Sequence, residues 1–436
     1  MSRDSKIPQP AWTIRRLGDV AEIILGGTPS TEVRGYWGGS IPWMSSGEVN
    51  KKRVFEVDGF ISEAGLAASN ATLVDPPTVA IGLAGQGKTR GTAALVNIRL
   101  CTNQSIALIK GSDGILDSHY LYHNLDGRYE ELRTRSAGGG RAGLSKEILA
   151  EVPLPLPDLP EQSRIAAVLD TVDEAIAKTE AVIAKLRQVR AGLLHDLLTC
   201  GLESNGKLRD PIAHPELFQD SPLGQIPKDW TTPPLANLCS HIGSGVTPRG
   251  GQDVYTSTGI MLIRSQNVAF DGLLLDDVAF ISEAIHLGML RSEVFAHDVL
   301  FNITGASIGR CCPMPEDLGT ANVNQHVCAL RVPKATDADA KYLASLLASP
   351  IGQRQMDSLL TVGNRQGLNY QQLGSFLIPW PKEDERKAIS SQIYAIEDQI
   401  RAEEKENEKQ ALLKSGLMTD LLTGRVRVPL KTKETA

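Results

Sequence analysis

The chain is expected to fold as an α+β protein. Two mixed α/β domains are separated by two long antiparallel α-helices forming a coiled coil, and the whole is a pseudo-two-fold internal repeat. Three observations predict this. The stretch from Pro160 to Thr199 has no proline after its first residue and a single glycine, Gly192. A second such stretch runs from Glu383 to Thr423 and ends almost as the first does. The segments ahead of the two stretches carry the same landmarks in the same order.

In the first stretch Ile165, Val168, Leu169, Val172, Ile176, Val182, Ile183, Leu186, Val189, Leu193 and Leu197 recur at helical spacing. Pro160 and Glu161 suit a helix start, because a first-turn proline has no N–H to leave unpaired and the carboxylate faces the positive end of the dipole. At 1.5 Å per residue the helix is roughly 57 Å long. Such a rod cannot lie against one compact core, so its stripe needs a second long helix. Lys185 to Thr199 and Lys409 to Thr423 agree at seven of fifteen positions: Lys185, Gly192, Leu193, Asp196, Leu197, Leu198 and Thr199. That agreement marks a repeat. The middle of the second stretch, Arg401 to Gln410, has only Ala402 as an apolar residue and is expected to pack weakly. Its seam is placed at Ile389, Ile393, Ile396, Ile400, Leu412, Leu413, Leu417 and Leu421.

Each domain opens on Ile-Pro and a tryptophan, Ile7-Pro8 with Trp12 and Ile226-Pro227 with Trp230. IPWMSSGEV (Ile41 to Val49) answers IMLIRSQNV (Ile260 to Val268), and FISEA occurs at both Phe60 and Phe280. The apolar runs Thr78 to Leu83 and Asp298 to Ile303 each lead into a glycine loop with a basic residue. Ser105 to Ile109 and His326 to Leu330 read as strands. Ser118 to Arg133 and Asp339 to Leu347 read as helices. GGGRAGLS (Gly138 to Ser145) and GNRQGLN (Gly363 to Asn369) are matched turns, and proline-rich exits, Val152 to Pro160 and Leu377 to Asp384, deliver the chain to each long helix. The boundaries are 1–158 for the first domain, 159–200 for the first helix, 201–222 for a loose linker, 223–382 for the second domain, 383–423 for the second helix and 424–436 for a fraying tail.

Length and composition are those of a soluble globular protein with more than one domain. The net charge of −6 is low for a protein that holds nucleic acid alone. Six cysteines without C-x-x-C spacing and eight histidines without H-x-x-x-H spacing suggest no metal site. A signal-like segment and a bilayer-length apolar run are both missing, so a cytoplasmic location is expected.

Two motifs compete for attention. GLAGQGKT, Gly82 to Thr89, satisfies the phosphate-loop pattern, but that site needs a helix directly behind it, and RGTAALVNIRL reads as a returning strand. DPPT, Asp75 to Thr78, is close to an adenine-methyltransferase motif, yet Thr78 cannot stack on a flipped base. Both are read as turns beside strands. Gly192 and Gly416 inside the helices suggest close approach or a tolerated bend.

The paired helix ends, GLL-x-DLLT and GLM-x-DLLTG, with Pro160-Glu161-Gln162 and Ile165 at a helix start and the LGDVAEI-like openings, resemble the specificity subunit of type I restriction-modification enzymes. The resemblance implies that each domain is a target-recognition domain reading one half of a bipartite, asymmetric DNA site. The helices would then set the spacing and dock two methyltransferase subunits. No enzymatic activity is expected on this chain: S-adenosylmethionine, ATP and Mg would belong to partner subunits, with endonuclease subunits completing the enzyme. Alternatives are a coiled-coil scaffold with domains that do not bind DNA, and a P-loop nucleotide-binding protein. Polar loop residues at matched positions are the candidate DNA contacts, since such groups bond phosphates and base edges. They are Thr28, Arg34, Ser46, Lys88, Arg90, Asn103, Gln104 and Arg141, then Thr247, Arg249, Arg264, Ser265, Arg310, Asn324, Gln325 and Arg365. The two Asn-Gln pairs have an equally good reading as ties between strand ends.

Overall fold

The computed structural model describes residues 12–85, 87–135, 143–362 and 367–428. The chain divides into two compact units, Met1–Glu180 with Lys405–Ala436, and Ala181–Glu404. Each unit therefore holds one globular domain and a half of each long helix, Leu159–Thr199 and Glu383–Leu421.

The first unit contains a five-stranded sheet in the order Ala21–Leu25, Ile106–Gly111, Thr78–Gly82, Ala93–Val96, Arg53–Val54. All neighbours are antiparallel except the last pair. Both faces are covered, which is why these strands read as unbroken apolar runs. Val79, Ile81, Leu95 and Ile109 pack on Tyr120, Leu121 and Leu125 of the helix Ser118–Asp126 and on Ile165 and Leu169 of the first long helix. Ala80, Val96, Ile106 and Leu108 pack on Met44, Val49 and Val54. The proline-rich exit Pro153–Leu156 pairs antiparallel with Thr13–Arg16 in a two-stranded ribbon, where a missing N–H is tolerated.

The second unit has a four-stranded antiparallel sheet, His241–Ser244, Val327–Arg331, Val299–Asn302, Cys311–Pro313. Phe301, Cys311 and Leu330 pack on Tyr342, Leu343 and Leu346 of the helix Asp337–Ala348, on Ile389 and Ile393, and on Leu194, Leu197 and Leu198. In each unit a tyrosine of the helix after the sheet ties down the exit: Tyr120 donates to the Pro155 carbonyl (2.7 Å) and Tyr342 to that of Pro379 (2.8 Å).

The long helices run antiparallel within each unit. Asp173 pairs with Lys414 (2.7 Å) and Thr179 bonds Gln410 (3.4 Å) in the first; Arg187 pairs with Glu404 (2.6 Å) and Arg190 with Glu397 (2.5 Å) in the second. Position numbers rise on one helix as they fall on the other. No residue of Arg401–Gln410 is buried, as its composition foretold.

Four expectations need correction. Val168, Val182 and Val189 are exposed, as are Leu412 and Leu413, at 75% and 55%. A two-helix contact buries only a narrow stripe, and these residues lie outside it. The helix expected from Ser118 to Arg133 is two, Ser118–Asp126 and Tyr129–Arg135. It breaks at Gly127, where a side chain would meet Met418. The supposedly loose linker is built: Phe218–Ser221 pairs with Gly224–Pro227, and Arg209 reaches back to Glu385 (2.5 Å). Of the tail, Arg427 is anchored as described below, and residues 429–436 lie outside the described residues. Among the described residues, no helix is long and apolar enough to cross a membrane.

Candidate nucleic-acid interface

In the first unit four loops meet at the end of the sheet where Ala21–Leu25 finishes, and backbone bonds sew them together. Gly27 N–H donates to the Thr102 carbonyl (2.8 Å), Asn103 N–H to Met44 (3.1 Å), Leu83 N–H to Ser105 (2.8 Å) and Leu144 N–H to Leu83 (2.9 Å). The second unit repeats the stitching. Gly245 N–H donates to Asn324 (3.1 Å), Asn324 N–H to Ile263 (3.1 Å), Ile303 N–H to His326 (3.0 Å) and Leu368 N–H to Ile303 (2.8 Å). The approach is close enough to demand glycine: a Cβ on Gly26 would strike the Asn103 carbonyl oxygen, and one on Gly245 that of Val323.

The candidate residues fall on this framework in three ways. Thr28 and Gln104 meet, the hydroxyl donating to the amide Oε1, and Thr247 and Gln325 do the same. Asn103 and Asn324 tie their own turns, their Oδ1 atoms accepting from Ser105 N–H (3.0 Å) and His326 N–H (3.1 Å). That is the structural role foreseen as the alternative for them. Lys88, Arg249 and Arg310 are exposed on the joined loops, and Arg90 is half-buried at the end of the hairpin loop. Ser46 and Ser265 start the short 3-10 turns Ser46–Lys51 and Ser265–Asn267, which follow the strands Trp37–Met44 and Ile260–Ile263. Arg264 is committed to Asp277, through the carbonyl at 2.9 Å and the carboxylate at 3.5 Å. Arg34 stands apart from the sewn loops on the exposed turn Arg34–Tyr36. Arg141 and Arg365 lie outside the described residues.

The phosphate-loop pattern sits in the hairpin between the antiparallel strands Thr78–Gly82 and Ala93–Val96. With a strand in place of a helix behind it, it lacks the helix N-terminus that a nucleotide phosphate needs. Thr78 is buried in its strand, donating to the Ile109 carbonyl (3.1 Å), away from any base.

Two constellations escaped the sequence reading. In the first unit Glu161, at the start of a long helix, accepts from Trp12 Nε1 (3.1 Å) and from Arg427 Nε (2.7 Å) and Nη2 (2.6 Å). In the second, Glu385 accepts from Trp230 Nε1 (3.1 Å) and Arg209 Nη1 (2.5 Å). Each clasp joins a domain's opening tryptophan, a helix start and an arginine from the segment following the other helix. The repeated Trp and Glu were visible; the arginines, in stretches read as linker and tail, were not. Burial works to raise the Glu161 pKa, but Arg427 and Trp12 outweigh it and hold the carboxylate below its usual range.

The second constellation centres on Asp170 of the first long helix, which accepts from His119 Nδ1 (2.7 Å), His123 Nε2 (2.7 Å) and Arg53 Nη2 (2.5 Å). Burial opposes its charge, yet these three donors keep it ionised well below the carboxylate range. His123, Asp170 and Asp173 lie near enough to hold a metal. Arg53 and Lys414 already neutralise the carboxylates, so the group is balanced without an ion.

Residues 10–188 match the family described as type I restriction modification DNA specificity domain. The chain is 23% identical over 425 residues to the type I restriction enzyme MjaVIII specificity subunit of Methanocaldococcus jannaschii, covering 97% of this chain and 94% of that protein. In fold it is similar to the crystal structure of a type I restriction-modification S subunit from M. genitalium, with a TM-score of 0.62 at 15% identity over 97% of this chain and 98% of that one. It is also similar to a chain solved in work on complex assembly and conformational transition of the type I R-M system, with a TM-score of 0.52 at 15% identity over 96% and 99%.

Proposed function

We propose that the chain is a specificity subunit of a type I restriction-modification enzyme, each unit reading one half of a bipartite, asymmetric DNA sequence. It is a recognition subunit and not a catalytic one. The observation that carries the proposal is the sewn loop end, built twice with three of its four backbone bonds at matched positions but furnished with different side chains, Lys88 and Ser105 in one and Arg310 and His326 in the other. One scaffold with two sets of tips suits two unlike half-sites, because bases are read by the side chains that loops present.

The long helices are the spacer in this proposal, since a rigid rod turns residue count into distance. Other subunits of the restriction-modification system assemble on the chain, and we take two of them to be methyltransferases carrying S-adenosylmethionine, with ATP and Mg on endonuclease subunits. Exposed Leu412 and Leu413 support a docked partner. So does an apolar groove of about 640 Å³ lined by Ile14, Met418 and Leu422. A net charge of −6 favours partners that share the phosphate contacts.

Selection from a random duplex pool by the chain with its methyltransferase partner tests this. Enrichment of one two-part asymmetric sequence is expected; enrichment of nothing would leave a scaffold without DNA specificity. Four residues inserted in both long helices should lengthen the gap between half-sites and alter neither. A chain cut near Asn205 should dimerise and direct methylation to a palindromic version of the first half-site.

A further inference from the structure

We propose that the two threonine–glutamine pairs, Thr28–Gln104 and Thr247–Gln325, are matched contacts to the sugar–phosphate backbone, carrying affinity at both half-sites and sequence choice at neither. This rests on the reading of the two units as DNA readers. It divides the loop residues into those that hold the duplex and those that choose the sequence.

The first argument is sameness among differences. Beyond the shared neighbours Pro29 and Pro248, and Asn103 and Asn324, the surrounding residues diverge: Ser30 stands against Arg249, Met44 against Ile263, Ser105 against His326, and Lys88 against Arg310. Within this variation the threonine hydroxyl meets the glutamine Oε1 in both units, across the same junction of two sewn loops. A side chain of one chemistry, held by one partner at one place, cannot distinguish two unlike half-sites. The sugar–phosphate backbone is what every pair of half-sites shares, whatever their bases.

The second argument is hydrogen-bond polarity. A glutamine that reads adenine uses both ends of its amide, the oxygen accepting and the nitrogen donating. In both units the threonine takes one of the two lone pairs of Oε1 and fixes the amide, which biases each glutamine toward offering its Nε2 hydrogens. Gln104 and Gln325 are exposed. Among the described residues the backbone N–H of Gln104 and of Gln325 donates to no protein acceptor. Each site is therefore rich in donors, the complement of phosphate oxygens, which are acceptors only. The second site has one further neighbour, His326 Nε2 at 3.3 Å from Gln325 Nε2, the imidazole being held through Nδ1 by Thr304 (2.6 Å). Because the threonine fixes the amide before DNA arrives, little side-chain freedom is lost on binding.

The test uses the full chain with its methyltransferase partner, and the duplex that this complex selects. Gln104→Ala and Gln325→Ala should each weaken binding by about 10- to 100-fold, the range of one hydrogen bond to a charged acceptor. The loss should be the same for the selected duplex and for an unrelated one, and the selected sequence should not change. On the wild-type complex a single methylphosphonate in the matching half should reproduce the loss, and it should add nothing to the variant. Gln104→Glu keeps the acceptor for Thr28 and should bind worse than Gln104→Ala. Relaxed choice at one base of one half-site would make the pair a base reader and overturn the proposal. Unchanged affinity with a lowered melting temperature would make it an internal strut and overturn it equally. If the wild-type complex selects no sequence, the reading of the units as DNA readers has failed first, visibly and without any variant, and the proposal falls with it.

Discussion

The two units fasten an equivalent helix to a long helix by different chemistry. In the first, His119 and His123 of Ser118–Asp126 bond Asp170, with Arg53 beside them. In the second, Arg386 of the long helix pairs with Asp339 of Asp337–Ala348 (2.6 Å), and Lys341 lies over the ring of Tyr394, 4.7 Å from its centre. The frames correspond, because Tyr120 and Tyr342 bond the same exit carbonyl and the helix ends repeat with Lys185 matching Lys409. On that register Asp170 takes the place of Tyr394, His119 that of Lys341, and the ion pair Lys414–Asp173 that of Arg190–Glu397. The interhelical ion pair and the Trp–Glu–Arg clasp are kept in both units while the fastening between domain and helix is not. Duplication thus preserved the rod and its clasps and left each domain to settle its own joint.

Breaking the first joint should have the largest effect. Asp170→Ala leaves a buried His123 without its acceptor and Arg53 with Asp173 alone, and should cost roughly 3 kcal/mol, since removing one partner of a buried pair strands the other. Hydrogen exchange in residues 118–126 should accelerate while that in 337–348 stays slow; equal acceleration would show that the joints are not independent. Glu161→Ala and Glu385→Ala should each cost about 2 kcal/mol, the worth of a hydrogen-bonded charged group. Urea unfolding that finds one clasp dispensable would deny their equivalence. Lys341→Ala should cost only about 0.5 to 1 kcal/mol, a partly exposed cation over a ring, measured by the same unfolding.

The smallest effect is a pH dependence confined to the first unit. The bond to Asp170 raises the pKa of His119 above its ordinary value, against the opposing pull of burial and of Arg53 and with support from Asp117. Its contribution is complete below the unfolded imidazole pKa and fades as pH rises through the raised folded one. Asp170 works the other way: its folded pKa is depressed, so its contribution is present above the ordinary carboxylate pKa and fades only as pH falls through and below that range. Protection of the amides in residues 118–126, the exchange rate divided into its intrinsic value at each pH, should therefore be greatest in weakly acidic solution and fall above neutrality. His119→Gln should flatten the upper limb, and the helix Asp337–Ala348, whose joint has no imidazole, should show no such limb.

Much of the architecture was legible in the residues because it depends on patterns a linear sequence displays. Helical spacing and missing breakers marked the two rods, and matched ends such as GLLHDLLT and GLMTDLLT marked the repeat. The β-branched residues after GLAGQGKT marked a hairpin where a phosphate loop would need a helix. Loop candidates were found by matching the halves, and Thr28 with Gln104 proved to touch, as did Thr247 with Gln325. Matching could not foresee that Arg264 would be occupied by Asp277, because the two are brought together by a turn rather than by proximity in a motif.

By itself, then, the sequence determined the order of elements, the two rods and the twofold use of one plan, because periodicity and repetition survive without coordinates. Tertiary structure alone decided which apolar residues of the rods face solvent, since a two-helix seam is narrower than the apolar arc that feeds it. It also decided that Arg427 and Arg209 close the clasps and that Asp170 gathers His119, His123 and Arg53. Charged side chains far apart in sequence find one another only once the backbone has enclosed them, where a buried charge must be paired or pay in stability.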